Sequence, residues 1–229
     1  MKVIILAAGV GSRLDATGYH PPKPLTKLSN GKSILQLQLE TLAPYVSLDN
    51  IIIVVGYKKE MIMEKFPHLL YVYNPSFASE NTSKSLLRAL KKVEDDLLWL
   101  NGDVIFRPSI LASVLQNART GMIVNQTENL GEEEVKYRAD ETGRILEVSK
   151  GVKEAQGEAL GINFYKKSDL SLLKSNLEQC QALDYFEKGI EWSIQQGQQV
   201  WSIPVGVTDC VEVDFAEDLI KANEILQIW

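Results

Sequence analysis

The chain alternates continuous apolar runs with segments whose apolar residues recur at helical spacing. "KVIILAAG" is an unbroken apolar run ending in glycine, the texture of a strand buried on both faces. In "SILQLQLETLA", Ile34, Leu35, Leu37, Leu39 and Leu42 form an amphipathic pattern after "NGKS", which predicts a helix from about Ser33. "NIIIVVGY" is a second apolar strand, "KKEMIMEKF" a short helix, and "LLYVYNP" a third strand stopped at Asn74-Pro75. "ENTSKSLLRALKKV" begins with cap-forming residues and continues as a helix, and "DLLWLNGDVIF" is a fourth strand broken at "NGD". Strand and helix in regular alternation predict a doubly wound α/β sheet.

The texture changes after the helix in "RPSILASVLQNA". "GMIVNQTEN", "EVKYRADETGRILEVSK" and "ALGINFYKK" read as strands joined by turns, with Gly143 in a hairpin turn. Two helices ("SDLSLLKSNLEQC", "DYFEKGIEWSIQQG"), a strand ("QQVWSIPVG"), a short strand at "VEV" and a closing helix follow. No linker, repeat or low-complexity stretch interrupts the 229 residues, which are expected to form one domain.

Charge adds something the pattern lacks. The net charge of −6 argues against a nucleic-acid partner. Yet residues 1–32 hold Lys2, Arg13, Lys23, Lys27 and Lys32 against Asp15 alone. A locally basic segment in an acidic protein suggests a small polyanion held at one point. With no apolar run near 18 residues, and with Cys180 and Cys210 outside any metal-type spacing, a reduced cytoplasmic protein without membrane insertion is expected.

The basic segment coincides with a glycine loop. "LAAGVGSRL" follows the first strand directly, and glycine lets unpaired backbone N–H groups approach phosphate oxygens. Arg13 adds a fork for two oxygens, and Lys23 stands between Pro22 and Pro24, which restrict its backbone. A P-loop needs GxxxxGK[ST], absent here, and "GVGSRL" lacks the third glycine of a dinucleotide fingerprint. Asp103 lies at the end of the fourth strand, where open α/β sheets place ligands, and Asp214 in "VEVDFAEDL" extends from a short strand. Asp214 is also a strong candidate to cap the final helix.

"ILAAGVGSRL…PKPL" resembles the signature of the nucleotidyltransferases that activate sugar phosphates and choline phosphate. "NGDVIF", "VSKGVKEAQGEALGI" and "VEVDFAEDL" resemble later motifs of that superfamily, so the likeness runs nearly the whole chain; "ENTSKSL" and the small size are most similar to the phosphocholine cytidylyltransferase branch. The resemblance implies the nucleotide-diphosphosugar transferase fold, a mixed, mainly parallel sheet flanked by helices. It implies an NTP-binding half over about 1–115 and an acceptor- and metal-binding half over 116–229. It implies Mg²⁺ on Asp103 and Asp214, and catalysis by Arg13, Lys23, Asp103 and Asp214.

The nucleotide would lie on Leu6, Ala7, Ala8, Gly9, Gly11, Ser12, Arg13, Lys23 and Ser83, and the acceptor on Asn81, Thr82, Ser85, Lys150 and Glu158. The partners implied are a nucleoside triphosphate and a small phosphomonoester or phosphonate; a homodimer is one assembly open to the chain, whose oligomeric state the sequence does not fix. No side-chain nucleophile is needed, because the acceptor phosphate is already anionic. The reaction expected is CMP transfer from CTP to phosphocholine or a similar small phosphate. The alternatives are a sugar-1-phosphate nucleotidyltransferase using UTP, dTTP or GTP, and a non-catalytic nucleotide-binding regulator. Cys210 or Val211 stands where the phosphocholine-type enzymes often carry Trp, and "LDATGYHPP" lacks their usual Pro-Leu-Thr, which leaves the acceptor open.

Overall fold

A computed structural model describes residues 1–11, 21–127 and 130–229. The apolar runs form the strands of a nine-stranded mixed sheet. β1 (Lys2–Ala7), β2 (Ile51–Val55), β3 (Leu70–Tyr73) and β4 (Leu97–Asn101) pair in parallel, in the order β4-β1-β2-β3. The helices between them are α1 (Ile34–Leu42), α2 (Lys59–Lys65) and α3 (Thr82–Leu90). The strand order reverses at β1, so the ends of β1 and β4 open onto the crevice that such sheets use for ligands.

Beyond β4 the sheet turns antiparallel. After β5 (Val104–Phe106) and α4 (Pro108–Asn117) come β6 (Gly121–Gln126), the hairpin of β7 (Lys136–Ala139) and β8 (Ile145–Ser149), and the long β9 (Gly157–Tyr165). β9 runs between β4 and β6, antiparallel to both, and β10 (Trp201–Pro204) completes that edge beside β6. Gly143 turns the β7–β8 hairpin at φ +86°, a conformation that favours glycine. α5 (Leu170–Gln179) and α6 (Phe186–Gln195) precede β10, and α7 (Ala216–Leu226) closes the chain.

Alternate residues of β1 face opposite layers. Ile4, Leu6 and Ala8 pack towards α3, α5 and α6, while Val3, Ile5 and Ala7 pack towards α1, α2 and α4. A third, smaller core joins Ile34, Ile105, Val211, Val213, Ala222 and Ile225. It holds together a two-stranded antiparallel ribbon of β5 and β11 (Cys210–Glu212), backed by α7. This ribbon matters for the site, because Asp103 precedes one of its strands and Asp214 follows the other.

Candidate functional site

Three separately folded turns bring charge to one place. Pro22 holds an extended backbone before a single turn of 3-10 helix, Lys23–Leu25, and so sets the base of the Lys23 side chain. Gln38, buried on α1, donates to the carbonyls of Asn101 (2.8 Å) and Val104 (2.7 Å), clamping both ends of the turn that carries Asp103. Glu212 pairs with Val104 in the β5–β11 ribbon, and Val213 N–H donates to the Asp103 carbonyl at 3.0 Å, which brings the following Asp214 alongside.

Asp214 does not cap the final helix. Asp218 does that work, accepting from Asp214 N–H at 3.0 Å and Phe215 N–H at 2.8 Å. The Asp214 carboxylate is left to face the cleft.

Lys23 lies between the two aspartates. Its Nζ donates to Asp103 Oδ2 at 3.1 Å and to Asp214 Oδ1, although 80 and 191 residues separate them in the chain. The lysine is only 8% exposed. Its burial disfavours the ammonium, but Asp103 and Asp214 together outweigh that and hold its pKa above the ordinary value. Burial, with Asp214 adding repulsion, raises the Asp103 carboxyl despite Lys23. Burial and the neighbouring Asp103 raise Glu212 well above the usual carboxylate range, against a hydrogen bond from Asn101 Nδ2 at 2.8 Å. Two carboxyl groups thus share one ammonium with a third, Glu212, repelled by both of them, and Asp103 Oδ1 is buried with no hydrogen-bond partner among the described residues.

Packing keys these turns to the glycine loop. Gly11 adopts φ +68°, and a Cβ there would come within 3.1 Å of Lys23 Cβ. Gly102 has no room for one: it would lie 2.7 Å from the Leu6 carbonyl and 2.9 Å from Pro24 Cγ. Gly102 N–H also donates to the Leu6 carbonyl at 2.8 Å.

The charges lie in a cleft of about 810 Å³. Leu6, Ala7, Gly9, Gly11, Lys23, Asn81, Thr82, Asp103, Lys150, Glu158 and Asp214 all line it, so most expected residues converge. Ser12 and Arg13 lie outside the described residues. A smaller concavity of about 420 Å³ among Ser109, Ile110, Val205 and Asp209 holds none of the expected residues.

Three of the expected residues, Ala8, Ser83 and Ser85, do not line the cleft. The Ala8 carbonyl accepts from Tyr57 N–H at 3.0 Å. Ser83 and Ser85 lie on the buried face of α3, so Ser83 is wholly enclosed and Ser85 Oγ accepts from Asn74 at 3.1 Å. The polar start of α3 is largely spent on the fold: Asn81 Oδ1 caps Thr82 N–H at 2.8 Å, and Thr82 Oγ1 accepts from Phe186 N–H at 3.1 Å.

The far end of the cleft has its own character. Lys150 Nζ stands 3.0 Å from Glu133 and 4.5 Å from the centre of the Tyr185 ring. Glu158 accepts from Asn125 Nδ2 at 2.7 Å, and burial raises its pKa. Glu187, in the first turn of α6, is also part of this wall, and the sequence reading had assigned it no role. The missed signal is spacing: Glu187 precedes Ile190 and Ile194 by three and seven residues, a charge on the apolar stripe of its helix. Asn101 and Gln38, polar residues inside apolar patterns, were missed for the same reason.

A family model described as "MobA-like NTP transferase domain" matches residues 3–162. Bifunctional protein GlmU of Methanococcus maripaludis is 38% identical over 141 residues, 60% of this chain, which spans 33% of that protein's length. CMP-5'-(3-aminopropyl)phosphonate synthase of Streptomyces rubellomurinus is 34% identical over 117 residues, 48% of this chain and 18% of that protein. Among solved structures, the CTP:phosphocholine cytidylyltransferase of Streptococcus pneumoniae superposes with a TM-score of 0.80 at 22% identity, covering 98% of both chains. These structural likenesses establish the nucleotide-diphosphosugar transferase type of fold, as the sequence had led us to expect.

Proposed function

The chain belongs to the family of MobA-like NTP transferase domains, and from that premise we propose that it is a Mg²⁺-dependent nucleotidyltransferase that moves CMP from CTP to a small phosphate or phosphonate. The observation that carries this reading is Lys23 held between Asp103 and Asp214 in one cleft with the glycine loop. In the reaction, an anionic oxygen of the acceptor forms a new bond to the α-phosphorus, and the bond to the β-phosphate bridging oxygen breaks, so pyrophosphate leaves with the electron pair.

The residues suit a hard divalent cation. Asp103 Oδ1 is a buried oxygen without a hydrogen-bond partner among the described residues, and Asp214 offers a second carboxylate. Among the described residues there is no group of three or more His, Cys, Asp or Glu side chains arranged to hold a metal. Two carboxylates fit Mg²⁺, which takes its remaining ligands from water and phosphate. Bound there, the ion would neutralise phosphate charge. The chain's own contribution is positioning. Backbone groups of Gly9 and Gly11, with Ser12 and Arg13, would hold the triphosphate. Lys23 would exchange a carboxylate for the α-phosphate and stabilise its developing charge. The residues before about 115 would serve chiefly the nucleotide, and those after it the acceptor.

CTP is favoured by the names of two similar proteins, the CMP-aminopropylphosphonate synthase and the phosphocholine cytidylyltransferase. A second reading, a sugar-1-phosphate nucleotidyltransferase using UTP, dTTP or GTP, draws on UTP–glucose-1-phosphate uridylyltransferase AglF of Haloferax volcanii, 25% identical over 99% of this chain. Pyrophosphate release, measured with each of four NTPs against a panel of phosphomonoesters and phosphonates, separates them. Release with CTP and a small non-sugar acceptor supports the first reading, and release only with hexose 1-phosphates supports the second. No release with any pair would favour a nucleotide-binding regulator or an acceptor outside the panel.

A further inference from the structure

We propose that Glu187 is a specificity-determining residue for a primary ammonium group on the acceptor, so that the substrate is an aminoalkyl phosphate or phosphonate. This deepens the proposed function and rests on it for the phosphate end of the acceptor.

Glu187 is 7% exposed, yet it lines the cleft, and its Oε2 is buried with no hydrogen-bond partner among the described residues. Such an oxygen is costly to leave unmatched and marks the place of a donor that arrives with the ligand. The residues beside it form one wall. Phe186 N–H is bonded to Thr82 and Asn81 N–H to the Ala182 carbonyl, while Lys150 lies over Tyr185.

Among the described residues, the charges on this wall do not balance. Beside the Glu133–Lys150 ion pair, Glu134, Glu158 and Glu187 line the cleft with Lys221, and Glu134 Oε2 is a second buried oxygen without a hydrogen-bond partner among the described residues. Glu80 is left out of that balance because Arg88 grips it with two bonds of 3.0 and 2.8 Å. Burial pushes the Glu187 carboxyl up to about 7, outweighing a backbone hydrogen bond and the attraction of Lys150. An incoming ammonium would supply the missing charge.

A primary ammonium fits better than a quaternary one. It brings three N–H donors, whereas a trimethylammonium brings none and would leave Oε2 unmatched. A quaternary head is best held by several open aromatic faces. Here the Tyr185 face is already covered by Lys150, Phe186 is buried in the core against Trp99, Phe77 meets Tyr57 edge-on, and Phe215 follows Asp214 at the Lys23 end of the cleft. Among the described residues no tryptophan lines the cleft.

The test is calorimetric binding of 2-aminoethylphosphonate, 2-hydroxyethylphosphonate and phosphocholine to the full chain, with Mg²⁺ and non-hydrolysable analogues of each NTP. The amine should bind at least tenfold more tightly than the hydroxyl analogue and several-fold more tightly than phosphocholine. In Glu187→Gln the amine should lose at least ten times as much affinity as the hydroxyl analogue. Glu187→Asp, which keeps the charge but shortens the side chain, should fall between and serves if the first variant fails to fold.

Equal binding of amine and hydroxyl, a preference for phosphocholine, an undiminished amine affinity in Glu187→Gln, or no amine binding with any NTP analogue would overturn the proposal. Pyrophosphate release run in parallel keeps the two readings apart. An amine preference without release sinks the enzyme and leaves the subsite standing. Release with CTP and no amine preference does the reverse.

Discussion

The two ends of the cleft treat negative charge in opposite ways. At the Lys23 end, Asp103 and Asp214 are drawn onto one buried ammonium. At the Glu187 end, Glu187 Oε2 and Glu134 Oε2 are buried with no hydrogen-bond partner among the described residues. On the proposed function, the first end is a closed set of charges that must rearrange when a nucleotide arrives. The second is an open set that a ligand would complete. A buried ion pair is weak evidence of stabilisation, because desolvation offsets attraction. An unpaired buried carboxyl is a plain cost, and a cost kept in a binding cleft points to what binds there.

The largest effect expected is at the closed end. Lys23→Ala should lower kcat roughly 10²–10³-fold or more, the scale of losing one preorganised donor. The variant should stay folded by circular dichroism, and its melting temperature should rise more with added Mg²⁺ than that of the wild type, since two carboxylates are left facing each other. Near-normal turnover would remove Lys23 from the reaction. Asp103→Asn comes next, with a loss of about 10²-fold and a higher Mg²⁺ concentration for half-maximal pyrophosphate release. An unchanged Mg²⁺ requirement would place the ion elsewhere.

The open end makes a different prediction, in stability. Unfolded, the Glu187 carboxyl releases its proton near about 4.3; folded, it does so at about 7. Between those values the folded chain holds more protons, so this group's contribution falls as pH rises and is fully lost above the folded value. Glu187→Gln should therefore gain on the wild type by about 3 kcal/mol between pH 4 and pH 8 in urea unfolding. Parallel curves for the two proteins would mean that Glu187 is not strained by burial. The smallest effect belongs to the helix that lets Asp214 face the cleft. Asp218→Ala, which removes the cap from α7, should cost about 1 kcal/mol.

Much of the fold was legible in the chain itself. β1 to β4 are continuous apolar runs, and Asn81 and Ser33 stand as caps where helices begin. What the pattern did not carry is the insertion of β9 between β4 and β6, because pairing order depends on contacts distant in sequence. Of the candidate site, the meeting of Lys23 and Asp103 was legible because proline and strand-end context single them out. Asp214 was ambiguous, since an aspartate before a helix suits capping equally well; the ambiguity ends at Asp218, four residues on. Ser83 and Ser85 misled because hydroxyls near a helix start look available, whereas their positions on the helix turn them inward. Glu187 was overlooked because its helix reads as amphipathic unless each charge is checked against the apolar stripe.

Gly102 has a consequence for how this cleft can change over time. The turn bearing Asp103 and the proline next to Lys23 touch through the space where that residue lacks a side chain. Any larger residue at 102 would wedge the carboxylate and the ammonium apart together, and no second change on one side alone would restore both. On the proposed function, variation among descendants of this chain is thereby steered towards the opposite wall, where new acceptors would be tried without disturbing the chemistry.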